Sequence, residues 1–301
     1  MDKEKKEIRQ RVKPEIVLPV KAENELMKFL IEALPHKNRN NIKSFLTGNQ
    51  VEVDGKIVTK YNHLLKPGNV VRIVWQRSPV VTKSFKGFTI VFEDEHLIVI
   101  DKHSGVLSVA TKGERDYTAY NFLSKHVKRE GPDKKIFVVH RLDRETSGLM
   151  VFAKSANVQH LMQDNWKDVV TERAYLAIVE GVIDENEGTV ESYLHENGVF
   201  VVYSDQNSEG GKKAITNFKV LKRTKEYTLL MVRLDTGRKN QIRVHMQDIG
   251  HPIINDKKYG ATQNPIDRLG LHAKVLAFTH PITGEKLRFE TAMPRKFQRL
   301  F

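Results

Sequence analysis

The sequence predicts an α+β fold, and three observations carry that prediction. Short runs of β-branched and aromatic residues bounded by turn residues, such as IFVV at 136–139 and LMVFA at 149–153, read as buried strands. Between such runs stand segments with helical spacing, NELMKFLIEAL at 24–34 among them. No unit of about 20 to 50 residues recurs, which excludes a solenoid. With 301 residues, the chain has room for one large domain and a small appendage.

Composition narrows the function classes. Lys and Arg number 50 against 37 Asp and Glu, a formal charge of +13, which favours a polyanionic partner. No apolar run approaches the roughly 20 residues that span a bilayer, so no membrane partner is expected. The opening MDKEKKEIRQRVK lacks the apolar core of a signal peptide, and a cytoplasmic location is expected. The lack of cysteine removes disulfides, thiolate nucleophiles, iron–sulfur clusters and Cys-type zinc sites together. The 12 histidines form neither an HxxxH nor an HxH pair, so no metal site is expected.

In chain order, residues 1–14 alternate charges with almost nothing apolar and read as a disordered basic arm. Residues 15–75 form a small domain. Its first helix aligns Leu26, Phe29, Leu30 and Leu34 on one face, and Pro35 ends it. A second helix in NRNNIKSFLTGN turns Ile42, Phe45 and Leu46 inward and Arg39 and Lys43 outward, with Gly48 as its C-terminal cap. VEVDGKIV is a hairpin around Asp54 and Gly55, and KPGNVVRIVW supplies a turn and a last strand. Arg39 and Lys43 fit phosphate contact, which positions a nucleic acid without reading its sequence; the plainer alternative is a solvated helix face.

Residues 76–87, with Ser78-Pro79 and several cations, read as a linker, and 88–301 as a second domain. FTIVFEDEHLIVIDKHSG is a pair of strands about an acidic turn; 115–128 is helical, and GPDKK at 131–135 is a loop. SANVQHLMQDNWKD is an amphipathic helix opened by Ser155 as N-cap. GVFVVYSDQNSEGGKKAITNFKV is a pair of strands around Gly210-Gly211, whose basic tip contacts either RNA or nothing.

Between the runs 136–139 and 149–153 lies a polar loop with two carboxylates and two guanidiniums, the placement by which rigid strands present a reactive group. An isolated Asp in such a turn ordinarily bonds its own backbone. The whole string HRLDRETSG, however, resembles at every fixed position the HRLDxxTSG signature of the RluA-type pseudouridine synthases. Further blocks extend the resemblance from residue 88 onward. Asp94, Glu95, Lys102 and Gly105 match the family's EDExLxVxxKxxG element. TERAYLAIVEG resembles its KxYxAxVxG strand, with Arg173 in the Lys place and Tyr175 as the aromatic. TGRKNQIRVH and GHPIINDKKYG resemble TGRxHQIRxH and GHPIxGDxxYG, and LHAKVLAFTHPITGE resembles the closing strands. Two departures stand out: Asn240 where the family usually has His, and Asn255 where it usually has Gly. Residues 15–75 resemble the alpha-L RNA-binding domain of ribosomal protein S four, with Asn38-Arg39 in place of the frequent Ser-Arg.

The resemblance implies a large mixed, mostly antiparallel catalytic sheet flanked by helices, acting on RNA as a pseudouridine synthase without a cofactor. It makes Asp143 the catalytic carboxylate, which must be ionised, and Arg243 the cation beside it that favours the charged form. Tyr175 is expected to stack on the flipped uracil, and Arg141 to fill the space that the base leaves. Arg238, with Lys239, is a candidate phosphate contact, with a solvated turn as the equal alternative. His140 is expected to be a core histidine, and His245, His251 and His272 to hold loops. Large-subunit ribosomal RNA is the expected partner, with transfer RNA as an alternative, and a monomer is expected. Two other classes remain open: an inert RNA-binding or ribosome-assembly protein, and a glycoside hydrolase, which needs a second carboxylate such as Glu145 beside Asp143.

Overall fold

The computed structural model describes residues 16–35, 37–47, 50–73, 83–85, 87–111, 113–129 and 131–301. The expected arm at 1–14, the Gly48 cap and most of the linker lie outside the described residues. The chain divides into two compact units, Met1–Val80 and Val81–Phe301.

The first unit contains β1 (Ile16–Pro19), β2 (Asn24–Glu25), α1 (Leu26–Ala33), α2 (Arg39–Thr47), β3 (Val51–Val53), β4 (Lys56–Ile57), β5 (Leu64–Leu65) and β6 (Val70–Ile73). Its main sheet runs β1-β6-β3-β4, while β2 pairs with β5. Leu26, Leu30 and Leu34 of the first helical segment and Ile42, Phe45 and Leu46 of the second share one core with Val51, Val71 and Ile73, as their spacing predicts. In the β3–β4 turn Asp54 and Gly55 both have positive φ (51° and 77°), the geometry of a tight primed hairpin turn. Arg39 and Lys43 lie exposed on α2.

The second unit opens with β7 (Lys83–Phe85), β8 (Phe88–Glu93), β9 (Leu97–Lys102), α3 (Ala119–Val127), β10 (Phe137–Val138), β11 (Ser147–Ala153), α4 (Ala156–Asp164) and α5 (Trp166–Val169). It continues with β12 (Val170–Glu180), β13 (Glu187–Glu196), β14 (Val202–Asp205), β15 (Lys212–Arg223), β16 (Tyr227–Leu234), α6 (Gln241–Asp248), β17 (Leu271–Thr279), β18 (Lys286–Glu290) and α7 (Arg295–Gln298). One 12-stranded sheet runs β14-β13-β15-β16-β12-β17-β11-β9-β8-β7, with β10 on β11 and β18 on β17. Among the described residues the β11–β17 pairing is parallel and the other pairings are antiparallel. The expected α+β class with a mixed, mostly antiparallel sheet is therefore present.

All seven residues of β11 are buried because helices cover both faces of the sheet at this strand. Side chains alternate between the faces. Leu149, Val151 and Ala153 pack with Val158 and Met162 of α4, whereas Met150 and Phe152 pack with Leu123 and Val127 of α3. Ser155 caps α4 as expected, accepting from the Val158 N–H at 3.3 Å. The expected helix at 115–128 starts at Ala119, because Thr118 takes the capping position and accepts from the Asn121 N–H at 3.0 Å.

Two long strands, β13 and β16, lie where the sequence pointed to no element. β13 is exposed along much of its length and mixes charges with Gly188, which dilutes its alternation. Within the stretch read as linker, β7 pairs with β8, and Phe85 stacks on Phe88 with ring centroids 5.0 Å apart. Among the described residues no helix is long and apolar enough to cross a membrane.

Candidate active site

The loop from His140 to Thr146 leads into β11 at the point where that strand meets β17 in parallel, and both sides of the loop are clamped. On one side, the Ser108 hydroxyl donates to the Leu142 carbonyl (2.7 Å) and accepts from the Leu142 N–H (3.1 Å). Lys102, fully buried, donates to the carbonyls of Val106 (2.7 Å), His103 (3.1 Å) and Arg144 (3.1 Å). Burial pushes its pKa down to about 7, while the charges of Glu145 and Asp143 pull the other way. The Gly105 N–H adds a second bond to the Arg144 carbonyl at 2.9 Å, and the Thr146 N–H closes the turn onto the Asp143 carbonyl at 3.2 Å.

On the other side, Arg268 donates to the Ser147 hydroxyl at 2.7 Å, and that hydroxyl lies 2.7 Å from Nδ1 of His272. His272 Nε2 faces Thr291 Oγ1 at 2.8 Å. This pattern assigns the Nε2–H tautomer, with Ser147 donating to Nδ1. The Asp143 carboxylate stands on this clamped turn with its side chain 37% exposed. It is rigid in backbone and open to a ligand.

Arg243 reaches it from the first turn of α6. One of its Nη atoms is 3.3 Å from Asp143 Oδ2, while Nε and the other Nη hold the two oxygens of buried Asp256 at 2.7 Å each. Its guanidinium lies 4.9 Å from the centre of the Tyr259 ring. Burial disfavours the charge, but the Asp256 hydrogen bonds and the charges of Asp256 and Asp143 outweigh it and raise the Arg243 pKa above the ordinary value. α6 is itself anchored: Gln241 bonds Thr236, Arg238, Ile215 and Thr216, and His245 bridges Thr216 and Ser192.

The two departures from the family pattern have structural answers. Asn240 adopts φ 55° at the start of α6, donates to the Tyr259 hydroxyl at 2.8 Å and accepts from Arg243 at 3.3 Å. It therefore keeps hydrogen bonds to both groups. Asn255 has φ 59°, a left-handed conformation open to glycine and, among other residues, best tolerated by Asn and Asp.

Tyr175 is half-buried on β12 at an irregularity in its pairing with β17. It packs against the clusters that hold Leu142 of the loop and Ile242 of α6; burial raises its pKa, the charge of Arg173 lowers it and that of Asp143 raises it. Arg141 is exposed and makes no hydrogen bond or ion pair with any described residue. Arg238 is exposed and donates to the Lys213 carbonyl at 3.0 Å. Arg39 and Lys43 belong to the first unit. Thus Asp143, Arg243 and Tyr175 come together, Arg141 borders them on the loop, and Arg238 immediately precedes α6. Sequence reasoning assigned no role to Asp256, Tyr259, Ser108 or Lys102. The signal for the first two was the DxxYG spacing, and for Lys102 its place in the resembling strand.

His140, His245 and His272 hold structure. His140 Nε2 accepts from the Val151 N–H at 3.1 Å, and burial, with the charge of Arg173, pushes its pKa down to about 3. Burial lowers His245 to about 4; burial, then Arg268 and Lys274, lowers His272 to about 3. Unfolding releases each ring to an ordinary pKa of about 6.5, so the unfolded chain takes up protons that the native one refuses. The associated stability is present above pH 6.5 and is lost as the pH falls towards the folded-state values. Urea titrations should show a loss on the order of 3 kcal/mol between pH 7 and pH 5. A flat profile would mean that these rings are solvated.

Chemically, the site offers an accessible carboxylate against a guanidinium, an aromatic packed close by, and an arginine at the rim with no partner among the described residues. A family model described as RNA pseudouridylate synthase matches residues 96–248. The chain is 32% identical over 256 residues to the uncharacterized RNA pseudouridine synthase YjbO of Bacillus subtilis, covering 84% of this chain and 90% of that one. It is 31% identical over 293 residues to the ribosomal large subunit pseudouridine synthase D of Pseudomonas aeruginosa, covering 88% and 87%. Among solved structures, human RNA Pseudouridylate Synthase Domain Containing 4 matches with a TM-score of 0.58 at 25% identity, covering 70% of this chain and 92% of that one.

Proposed function

Since the chain belongs to the RNA pseudouridylate synthase family, an isomerase family, we propose that it converts uridines of large-subunit ribosomal RNA to pseudouridine with Asp143 as the reacting carboxylate. The observation that carries this reading is the 3.3 Å contact of Arg243 with Asp143, on a loop whose backbone is clamped independently of the carboxylate. In the reaction, the N1–C1′ bond of uridine breaks, the base turns, and a C5–C1′ bond forms. The C5 hydrogen leaves as a proton and N1 gains one, so nothing is oxidised and no cofactor enters.

The target base must first leave its stack, at a cost of a few kcal/mol. Arg141, free of partners among the described residues, is suited to enter the vacated space, because its plane can stack where an amine cannot. Tyr175 stacks on the flipped uracil, a contact worth about 1–3 kcal/mol. Arg238 contacts phosphate beside α6, and Arg39 and Lys43 do so from the N-terminal unit, acting as an alpha-L module. The similarity to proteins named for the large ribosomal subunit favours ribosomal over transfer RNA. A ribosomal substrate implies the cytoplasm.

The test is tritium release from 5-tritiated uridine in RNA isolated from cells lacking the gene, because bond formation at C5 expels that atom. Wild-type protein releases tritium; a protein that binds this RNA without release is an inert binder. Arg243→Lys should lower the release rate about 10- to 100-fold, since an ammonium cannot hold Asp256 through two parallel bonds and also reach Asp143. Wild-type rates in that variant would remove Arg243 from the mechanism.

A further inference from the structure

The hairpin joining β13 to β14 carries, at residues 197–201, an aromatic side chain in a position that folding alone does not explain. Phe200 is 72% exposed and Val199 75%. Phe200 also has φ 61°, a left-handed conformation that costs a non-glycine residue about 1–2 kcal/mol. The turn is nevertheless well built. The Asn197 side chain accepts from the N–H groups of Val199 (3.1 Å) and Val201 (2.8 Å), and the Phe200 N–H bonds the Asn197 carbonyl at 2.9 Å.

Two cations meet Phe200, Lys239 at its ring and carbonyl and Lys258 at its carbonyl. Lys239 lies 5.6 Å from the ring centre and its Nζ is 3.5 Å from the Phe200 carbonyl; it also pairs with Glu196. Lys258 donates to the same carbonyl at 3.3 Å and lies 5.7 Å from the centre of the Tyr259 ring. Tyr259 is the ring against which Arg243 rests, and Lys239 precedes Asn240 at the head of α6. Phe200 is thus linked through Lys258 and Tyr259, by three successive contacts, to the guanidinium that touches Asp143.

An exposed aromatic plane with one ammonium over a face and a second at its own carbonyl leaves the other face for a single-stranded nucleobase to stack on while the phosphates meet the cations. We propose that Phe200 is a stacking platform for a base of the substrate RNA that flanks the target uridine. The inference rests on the proposed function and assigns a second aromatic contact outside the pocket of Tyr175. The left-handed turn aims the ring outward, and the two lysines hold the carbonyl in that conformation.

The experiment measures KM and kcat for tritium release from the 5-tritiated RNA of cells lacking the gene, for wild type, Phe200→Asn, Phe200→Leu and Phe200→Trp. Asn tolerates the left-handed backbone and removes the ring; Leu keeps apolar bulk without a plane; Trp keeps the plane. The expected result is a KM raised roughly tenfold in the Asn and Leu variants, kcat within about twofold of wild type, and near wild-type behaviour for Trp, all at the wild-type melting temperature. Wild-type KM in the Asn and Leu variants would overturn the proposal and leave Phe200 as a protein contact, with the enzymatic reading intact. Equal impairment of Trp and Asn would also overturn it, since planarity would then be irrelevant. If wild type itself releases no tritium, the proposed function fails first and the platform with it.

Discussion

Asp143→Asn should abolish pseudouridine formation, by at least about 10⁴-fold in tritium release, while leaving the protein folded and able to bind RNA. The two halves of this expectation have separate causes. The loop is held through backbone atoms: Lys102 on the carbonyl of Arg144, Ser108 on both sides of Leu142, and the Thr146 N–H on the carbonyl of residue 143. None of these bonds uses the carboxylate. Arg243 keeps both of its 2.7 Å bonds to Asp256, so no buried charge is stranded and stability should change by about 1 kcal/mol or less. What disappears is the negative charge that faces the substrate, which the isosteric amide cannot supply. Thermal unfolding and RNA retention on filters check the first half, and tritium release checks the second. A variant that keeps a tenth of the wild-type rate would remove Asp143 from the chemistry.

Gly148→Ala should cost about 3 kcal/mol or more, seen as a large fall in the urea midpoint or a loss of soluble protein. Gly148 lies in the parallel pairing of β11 with β17, opposite Ala273. A Cβ placed there would lie 2.2 Å from the Ala273 carbonyl oxygen and 2.6 Å from its nitrogen, and the φ of +114° is one that side chains rarely adopt. The obstruction is backbone on a buried central strand, so no side-chain rotation relieves it. The same displacement would move Ser147 from His272 and Arg268 and loosen the turn that carries Asp143. Wild-type stability in Gly148→Ala would show that the two strands can separate at this point.

The sequence made some of this architecture readable and hid the rest for physical reasons. The turn holding Asp143 was legible because its strand flanks, carboxylate and glycine are contiguous. Leu26, Leu30 and Leu34 were legible because a helical stripe is a local pattern. Arg243 lies 100 positions from Asp143, and no periodicity links them. It was reached through a family resemblance, as was Tyr175. Asp256 and Tyr259, which hold and back that arginine, stayed unassigned although their spacing was visible, since an ion pair or a ring contact leaves no local signature. β13 and β16 were missed because they lie between the more recognisable blocks. The strand pair at 198–220 drew attention to its Gly210-Gly211 tip, while the ordered aromatic at Phe200 lies at the other end of β14.

The most direct measurement is pseudouridine mapping by carbodiimide primer extension on ribosomal and transfer RNA from cells lacking the gene, complemented with wild type or with Asp143→Asn. One or a few stops in large-subunit ribosomal RNA should vanish on deletion, return with wild type, and stay absent with Asp143→Asn. Persistence of every stop after deletion, or full restoration by Asp143→Asn, would contradict the assignment of this site as a uridine isomerase acting through Asp143.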